Sequence, residues 1–231
     1  MELKEIIRKR LKQDYPPEKA EEIWERFQLQ YVDFLRDLPY QGGKRCTHNG
    51  AAGTYDCIAM FAYYEVSEKK PSLEEMYNML NEALLPPFRR LGKLVNANHP
   101  VLLWLIHKAF YITSLKDRRY EKTCPTGYLM HVARYDKKKG IYYRFDRCPI
   151  AEFARAHGYL DLMPAFCNGD YPALKEIHAG LIRQNTCSNS NYCGYWIVGD
   201  QSPWLKKYPM ETDEKGYYFN RVNKTEDHPR R

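Results

Sequence analysis

Residues 141–158 read IYYRFDRCPIAEFARAHG, a strand pattern followed directly by a helix pattern. The aromatic and β-branched residues of the first seven positions favour a strand. Pro149 and Gly158 bracket the helix, because proline suits the first helical position and glycine suits the residue after the last turn. A strand that leads at once into a short helix is typical of a unit in which a small sheet and helices pack together.

The neighbouring segments extend this unit on both sides. Residues 128–135 predict a strand that pairs with residues 141–147 as a hairpin, joined by the polar, glycine-ended stretch at 136–140. Beyond the short helix, a further helix is predicted to begin near Asp170 and to end by Gly180. Two more strands are predicted at 181–187 and 193–198. The second half is therefore expected to form a small antiparallel sheet with short helices.

The first half is predicted to be helical. Apolar residues between positions 20 and 35 fall three or four apart, which gives one face of an amphipathic helix opened by Pro16 and Pro17. Another helix is expected over residues 51–65. A third begins at Ser72, where Glu75 completes a capping box.

Two proline signals complete the predicted helical half. The Pro86-Pro87 pair is expected to stop the third helix, because proline lacks the N–H that a helix interior needs. Pro100 is expected to begin a further helix. Its residues 101–106, VLLWLI, are apolar on all sides, so this helix is predicted to run through the core.

The predicted class is α+β, with a helical N-terminal half packed on a small antiparallel sheet with short helices. Residues 1–120 are expected to form a mainly helical scaffold, residues 121–200 an α+β unit rich in cysteine motifs, and residues 201–231 a polar C-terminal tail with a frayed end. The three parts are predicted to form one compact unit. No internal repeat is visible.

Composition limits the possible functions. The 231-residue chain is 44% hydrophobic and 14% aromatic, which is far from the composition of disordered proteins. The net charge of +7 comes from scattered lysines and arginines, and no nucleic-acid-reading motif accompanies them. We therefore expect a small anionic molecule as the partner and no nucleic acid.

The chain start and the cysteines indicate the compartment. The N-terminus lacks the apolar run of a secretory signal, and the longest apolar stretch, 101–106, is too short to span a bilayer. Seven cysteines without close pairing are typical of reduced thiols rather than a disulfide framework. We expect a cytoplasmic protein without a membrane partner.

Cys148 is the first candidate for chemistry. At a helix N-terminus, unpaired backbone N–H groups and the helix dipole favour an anion, so its thiolate is predicted to form more easily than that of free cysteine. Glu152 lies four residues later, on the same helix face, and could share a pocket with the thiol, although compensation of the helix dipole in the first turn is its commoner role. Cys187 and Cys46 are interpreted instead as small buried residues.

Charged residues supply further candidates, each with a structural alternative. Asp170 can act as a helix N-cap or face a ligand. Arg147 and Arg183 offer the planar fork that binds a carboxylate, although a solvated strand face is the commoner location. His48 could act as an acid or base near neutral pH, or could be an ordinary loop residue.

Metal and cofactor signals are weak. The spacing of Cys148, Cys167 and Cys187 does not supply the closely paired ligands of a zinc site. Gly42-Gly43-Lys44 lacks the full phosphate-loop pattern. The sequence therefore predicts no cofactor and no metal.

With these residues assembled, the chain resembles the L-2-amino-thiazoline-4-carboxylic acid hydrolase family. The resemblance is carried by RCPIAE at 147–152, HG at 157–158, FCNGDY at 166–171, Cys193, and LPYQGGK at 38–44. It covers most of the chain between about residues 38 and 199. The family usually follows its last cysteine with an acidic residue, where this chain has Gly194.

The resemblance implies a hydrolase acting on carbon–nitrogen bonds of cyclic amidines. It would open a small cyclic amidine or isothiourea, such as 2-amino-thiazoline-4-carboxylate, to a carbamoyl-cysteine product. The implied catalytic residues are Cys148, Glu152, Cys167, Asp170 and Cys193. A cation is needed to hold the substrate carboxylate, and a carboxylate to pair with the amidine-like nitrogens. The implied substrate-binding residues are Arg147, Arg183 and His48.

Two mechanisms and two other function classes stay open. Cys148 or Cys167 could attack the amidine carbon as a thiolate, or a carboxylate could activate water directly while the thiols shape the pocket. The covalent route is slightly favoured by the position of Cys148. The alternatives to an enzyme are a non-catalytic binding or sensing module of the same fold and a thiol-rich metal or redox protein. The sequence leaves the oligomeric state open.

Overall fold

The computed structural model describes residues 2–38 and 49–222 of the chain. Its helices are α1 (Leu3–Asp14), α2 (Pro17–Asp37), α3 (Asn49–Val66), α4 (Leu73–Gly92), α5 (Pro100–Tyr120), α6 (Pro149–His157), α7 (Met163–Cys167), α8 (Asp170–Lys175) and α9 (Pro203–Lys207). Its strands are β1 (Leu129–Val132), β2 (Ile141–Arg147), β3 (Ala179–Ile182), β4 (Cys193–Gly199), β5 (Met210–Thr212) and β6 (Tyr218–Asn220). The predicted α+β class is confirmed.

The main sheet has the order β1-β2-β4-β3, and every neighbouring pair is antiparallel. The predicted hairpin of β1 and β2 is confirmed, although β1 is shorter than the predicted range. The third strand is also shorter than predicted and ends at Ile182. Arg183 and the residues up to 192 therefore form a connection at the edge of the sheet rather than a strand.

Helix α6 begins and ends where its flanking residues require. Pro149 is its first residue, and Gly158 follows it with a φ of 78°, the left-handed conformation that glycine adopts without strain. The capping box of Ser72 and Glu75 is also present at the start of α4. These local signals predicted both helix boundaries correctly.

The prediction that Pro86 and Pro87 stop the third helix is wrong. Helix α4 continues through both prolines to Gly92. Each proline removes one helix N–H, but the last turns of α4 gain tertiary contacts that favour continuation. Phe88 packs against the core, and Arg89 donates through Nε to Glu176 at 2.9 Å.

The prediction that α5 runs through the core is also wrong. Val101, Trp104 and Leu105 are 56%, 42% and 48% exposed, whereas Leu103 is buried. Helix α5 packs one side against β1. Its opposite side stays exposed, so an apolar run at the start of the helix does not mean burial on every face.

The C-terminal part of the described chain supports the sheet. Helix α9 and the β5–β6 hairpin follow β4, and Asn220 at the end of β6 is buried. The Asn220 side chain accepts the backbone N–H of Arg183 at 2.8 Å and donates to the Tyr208 carbonyl at 2.9 Å. The hairpin thereby holds the connection after β3. The predicted frayed end, residues 224–231, lies outside the described residues.

Within the described parts of the chain, none of the helices combines the length and apolar character that crossing a bilayer requires.

Two glycines with positive φ show how backbone strain and steric clash each affect the free energy of unfolding. Gly140 and Gly158 have φ values of 81° and 78°. A methyl group at Gly140 would clash with the Ile197 carbonyl, whereas at Gly158 it would meet no atom within 4 Å. We expect Gly158→Ala to lower the free energy of unfolding by about 1 kcal/mol from the left-handed conformation alone. Gly140→Ala should cost about 2–4 kcal/mol, because overpacking adds to that strain.

Urea unfolding of both variants measures the difference. Equal losses of stability would contradict the predicted clash at the β2–β4 pair.

Candidate functional site

A cavity of about 270 Å³ lies between α5, the short helices α6–α8 and one face of the main sheet. Its volume is slightly below the roughly 300–1,000 Å³ of pockets that hold drug-sized ligands, so it suits a small molecule. Strands β2 and β4 contribute alternate residues to it, since successive side chains of a strand point to opposite faces. The sheet thus forms the wall opposite the helices.

Three of the sequence-predicted cysteines line this cavity. Cys148 precedes α6, Cys167 ends α7, and Cys193 begins β4. Cys187, interpreted from the sequence as a small buried residue, is buried and also lines the cavity, as does Cys57 of α3. Distant chain segments therefore bring five thiols to one cavity. Cys46 lies outside the described residues.

The expected thiolate at Cys148 is not supported. Burial raises the pKa of the Cys148 thiol well above its usual range, although the N–H groups of Ala151 and Ile150 partly offset this. Burial likewise raises the pKa of Cys167, and raises the pKa of Cys193 to about 12. The helix-terminus effect is present at Cys148, but removal from water outweighs it.

Glu152 does not share the cavity with Cys148. Its side chain is exposed, and it is not among the residues that line the cavity. Helix α6 buries the face that carries Ala151, Phe153 and Ala154, which leaves Glu152 on the solvent side. Cys148 itself has an extended backbone with φ of −133°, so helical spacing from this residue misplaces Glu152.

Asp170 lines the cavity and is the centre of a partly buried polar cluster. Its Oδ2 accepts Arg183 Nη1 at 2.7 Å and the Tyr195 hydroxyl at 2.8 Å. The prediction that Asp170 caps a helix is wrong, because Gly169 occupies the cap position and Asp170 is the first residue of α8. The side chain is committed to tertiary partners instead.

Arg183 holds the Asp170 carboxylate in place. It is 1% exposed, so the alternative of a solvated strand face is wrong. Its Nη2 donates to the Cys167 carbonyl at 2.7 Å, and its guanidinium lies 5.0 Å from the Tyr171 ring centre. Because both terminal nitrogens have protein partners, Arg183 orients Asp170 rather than presenting a free fork to a ligand.

Arg147 does not contribute to the cavity. Its Nε donates to the Gly127 carbonyl at 2.6 Å. Its Nη2 lies 3.9 Å from Glu121 Oε1. His48, like the rest of the segment at 39–48, lies outside the described residues.

Asp117 of α5 is a cavity residue that sequence reasoning missed. It is 3% exposed, and its carboxylate accepts the backbone N–H of Met130. Burial raises the pKa of Asp117 from its ordinary value of 3.8 to about 6, although that hydrogen bond acts in the opposite direction. The available signal was the three- and four-residue spacing of Phe110, Thr113 and Asp117, which places them on one helix face.

Aromatic rings and hydroxyl groups complete the walls. Tyr143 and Tyr195 stack across β2 and β4 with ring centres 4.6 Å apart. The cavity is also lined by Cys167, whose Sγ lies 3.7 Å from Ser188 Oγ, which in turn lies 2.6 Å from Thr186 Oγ1. The cavity can therefore hold a flat ring against the tyrosines and meet its polar atoms with hydroxyl groups.

Gly194 faces away from this cavity. A side chain there would approach Tyr192 and Tyr142, which lie on the other face of the sheet. Its neighbours Cys193 and Tyr195 point into the cavity, as strand alternation requires. An acidic residue at position 194 would therefore not reach the thiols.

Among the residues that the structure describes, no three or more histidine, cysteine or acidic side chains form a group that could hold a metal ion.

The comparisons with known proteins agree with the motifs. The family model for L-2-amino-thiazoline-4-carboxylic acid hydrolase matches residues 55–196. This range contains all the described side chains that line the cavity, from Cys57 to Tyr195. No curated protein and no solved structure gives a match. The family resemblance is thereby confirmed, and the chain belongs to the L-2-amino-thiazoline-4-carboxylic acid hydrolase family.

Proposed function

We propose that this protein hydrolyses a small cyclic amidine or isothiourea, such as 2-amino-thiazoline-4-carboxylate, in the cavity of about 270 Å³. Water would add to the ring carbon between sulfur and nitrogen, and the ring would open to a carbamoyl-cysteine. Since a thiolate leaves more readily than an amine anion, the bond that breaks is the one from this carbon to sulfur, and not a carbon–nitrogen bond as the family resemblance implies. The observation that carries the proposal is Asp170, a carboxylate held rigidly in the cavity wall.

Asp170 is suited to bind the amidine-like nitrogens. Arg183 and Tyr195 both donate to its Oδ2, so the carboxylate is positioned before a ligand arrives. A fixed carboxylate can accept hydrogen bonds from the N–H groups of an amidinium, and such charge-assisted bonds are strong. The hydroxyls of Thr186 and Ser188 can meet the substrate carboxylate, a role for which Arg147 and Arg183 are poorly placed.

The thiols fit the water-activation route better than the covalent one. Burial raises the pKa of Cys148, Cys167 and Cys193, which leaves all three protonated at neutral pH. The thiol is a poor nucleophile compared with the thiolate. We therefore assign these cysteines to shaping the cavity, while water is the attacking group.

The alternative of a non-catalytic binding module has less support. The sequence feature in its favour is Gly194, where the family usually has an acidic residue. Because the side chain at this position would point to the opposite sheet face, its loss leaves the cavity unchanged.

The experiment is turnover of 2-amino-thiazoline-4-carboxylate, followed by mass spectrometry of the carbamoyl-cysteine product. We expect Cys148→Ala and Cys167→Ala to lose no more than about tenfold in kcat/KM, or about 1.4 kcal/mol of transition-state stabilisation. If either cysteine were the nucleophile, the loss would be of the order of 10⁴–10⁶-fold, as for other covalent catalysts. Cys124→Ala is the matched control, because Cys124 is buried but outside the cavity.

Saturable binding without product, even after long incubation, would overturn the hydrolase and favour the binding module. A cysteine adduct trapped during turnover would restore the covalent route.

A further inference from the structure

Asp117 places a second carboxylate in the cavity, on a different wall from Asp170. It lies on α5, one turn after Thr113 and two turns after Phe110, and all three line the cavity. Asp170 lies on α8, next to the cysteine motif at 166–171. A ligand in the cavity therefore lies between carboxylates from two separate parts of the chain.

The two carboxylates differ in their partners. Asp170 is paired with the buried guanidinium of Arg183 at 2.7 Å, so its carboxylate is committed to an ion pair. The carboxylate of Asp117 accepts a neutral backbone N–H from Met130. A group that takes up and releases a proton during a reaction must be accommodated by its surroundings both with and without its charge. Asp117 meets this need better than Asp170.

We propose that Asp117 is the general base of this site and removes a proton from the attacking water, an inference that rests on the hydrolase activity proposed above. Asp170 orients the amidinium, and Asp117 carries out the proton transfer. Paired carboxylates in different environments commonly divide their roles in this way.

The substrate enters as the protonated amidinium, and Asp117 enters as the carboxylate. The water oxygen bonds to the ring carbon, the C=N electron pair moves onto nitrogen, and Asp117 takes one water proton. On collapse, the C=O bond forms and the C–S bond breaks with its electrons on sulfur. Asp117 gives its proton to sulfur and accepts the hydroxyl proton, which it then releases to solvent.

The tyrosines and the cysteine near Asp117 lose their protons at higher pH than Asp117 does. Tyr128 and Tyr143 line the same cavity, and burial raises the pKa of both. Cys148, beyond them, also titrates far above neutral pH. These groups stay neutral while Asp117 changes its charge.

Among the charged groups near Asp117, Asp170 lines the same cavity, and a cluster of four lies on the other face of the sheet. His131 Nε2 lies 3.0 Å from Asp146 Oδ2, and Arg144 Nε lies 2.8 Å from Asp146 Oδ1. Arg118, next to Asp117 in sequence, lies within 3.3 Å of His131 Nδ1 through its Nη2. These four side chains therefore interact with one another on the face of the sheet opposite the cavity.

The raised pKa of Asp117, about 6, agrees with this role. A general base is effective when its pKa lies near the working pH. As a carboxylate it is active above that pKa, so kcat/KM should rise tenfold per pH unit below about pH 6 and level off above it.

The test is the pH profile of Asp117→Asn with 2-amino-thiazoline-4-carboxylate. Asparagine keeps the shape and can accept the Met130 N–H, but it cannot take a proton. We expect kcat/KM at pH 8 to fall roughly 10²–10⁴-fold and the residual rate to lose the acid limb. Asp117→Glu keeps a carboxylate and should retain a lower rate together with that limb. Glu176→Gln, which removes a carboxylate outside the cavity, should leave rate and profile unchanged.

The outcomes separate the two proposals. An active wild type with an equally active Asp117→Asn variant, or with an unchanged acid limb in that variant, overturns the role of Asp117 and leaves the hydrolase standing. A wild type that produces no carbamoyl-cysteine overturns both. If Asp117→Asn fails to fold, the acid limb of Asp117→Glu decides, since its absence also overturns the role.

Discussion

Asp170→Asn is expected to abolish measurable turnover and to lower the free energy of unfolding by about 3 kcal/mol, the lower end for breaking a buried ion pair. Arg183 is 1% exposed and would keep its charge while losing its anionic partner. The cost does not reach the upper end of the range, because the Asp170 side chain is 36% exposed in the pair and asparagine can still accept a hydrogen bond. Loss of the charge also removes the group proposed to bind the amidinium.

Urea unfolding with a matched surface pair measures the stability effect. Glu176 pairs with Arg89, whose side chain is 61% exposed, so Glu176→Gln should cost less than about 1 kcal/mol. Tyr195→Phe removes only the second donor to Asp170 and should cost about 1 kcal/mol. If Asp170→Asn were as mild as Glu176→Gln, Arg183 would not depend on Asp170.

The sequence predicted the parts of the fold that short-range signals determine. Pro149 and Gly158 marked the ends of α6, and the aromatic run of β2 marked its strand with the observed bounds. These features depend on neighbours within a few residues. The path of α4 through Pro86 and Pro87 is accompanied by tertiary contacts, among them the one between Arg89 and Glu176, which lies far along the chain. No local rule could include that contribution.

The site was only partly predictable for the same reason. Cys148, Cys167, Asp170 and Cys193 were predicted and line one cavity. Their partners and protonation, however, depend on burial. The role of Arg183 becomes visible only in the packed structure, where its guanidinium is buried and donates to Asp170 and to the Cys167 carbonyl.

Asp117 is the clearest example of a site residue that is hard to predict from sequence. It stands in the stretch KDRR at 116–119, which is typical of a solvated helix end. The apolar run at 101–106 suggested burial on every side of α5, so it did not indicate which face of the helix packs inward. The spacing of Phe110, Thr113 and Asp117 puts them on one helix face, and the packing of α5 on β1 shows that this face lines the cavity.

Asp117→Asn is expected to stabilise the protein above pH 6 while it removes activity. The folded-state pKa of Asp117, about 6, lies above its ordinary value of 3.8. The folded state therefore binds the proton more tightly than the unfolded state, and the resulting stability is present below about pH 4 and lost as the pH rises through about 6. At about 1.4 kcal/mol per pKa unit, the loss is up to about 3 kcal/mol.

Asparagine has no charge to bury, so the variant should avoid this loss. Urea unfolding from pH 4 to pH 8 should show equal stability of both proteins at the acid end and a gap of up to about 3 kcal/mol at pH 7–8. A variant less stable than the wild type at pH 8 would show that the Asp117 carboxylate supports the fold. A stabilised, inactive variant would instead show that the buried carboxylate is retained for chemistry at the expense of stability, as is common at functional sites.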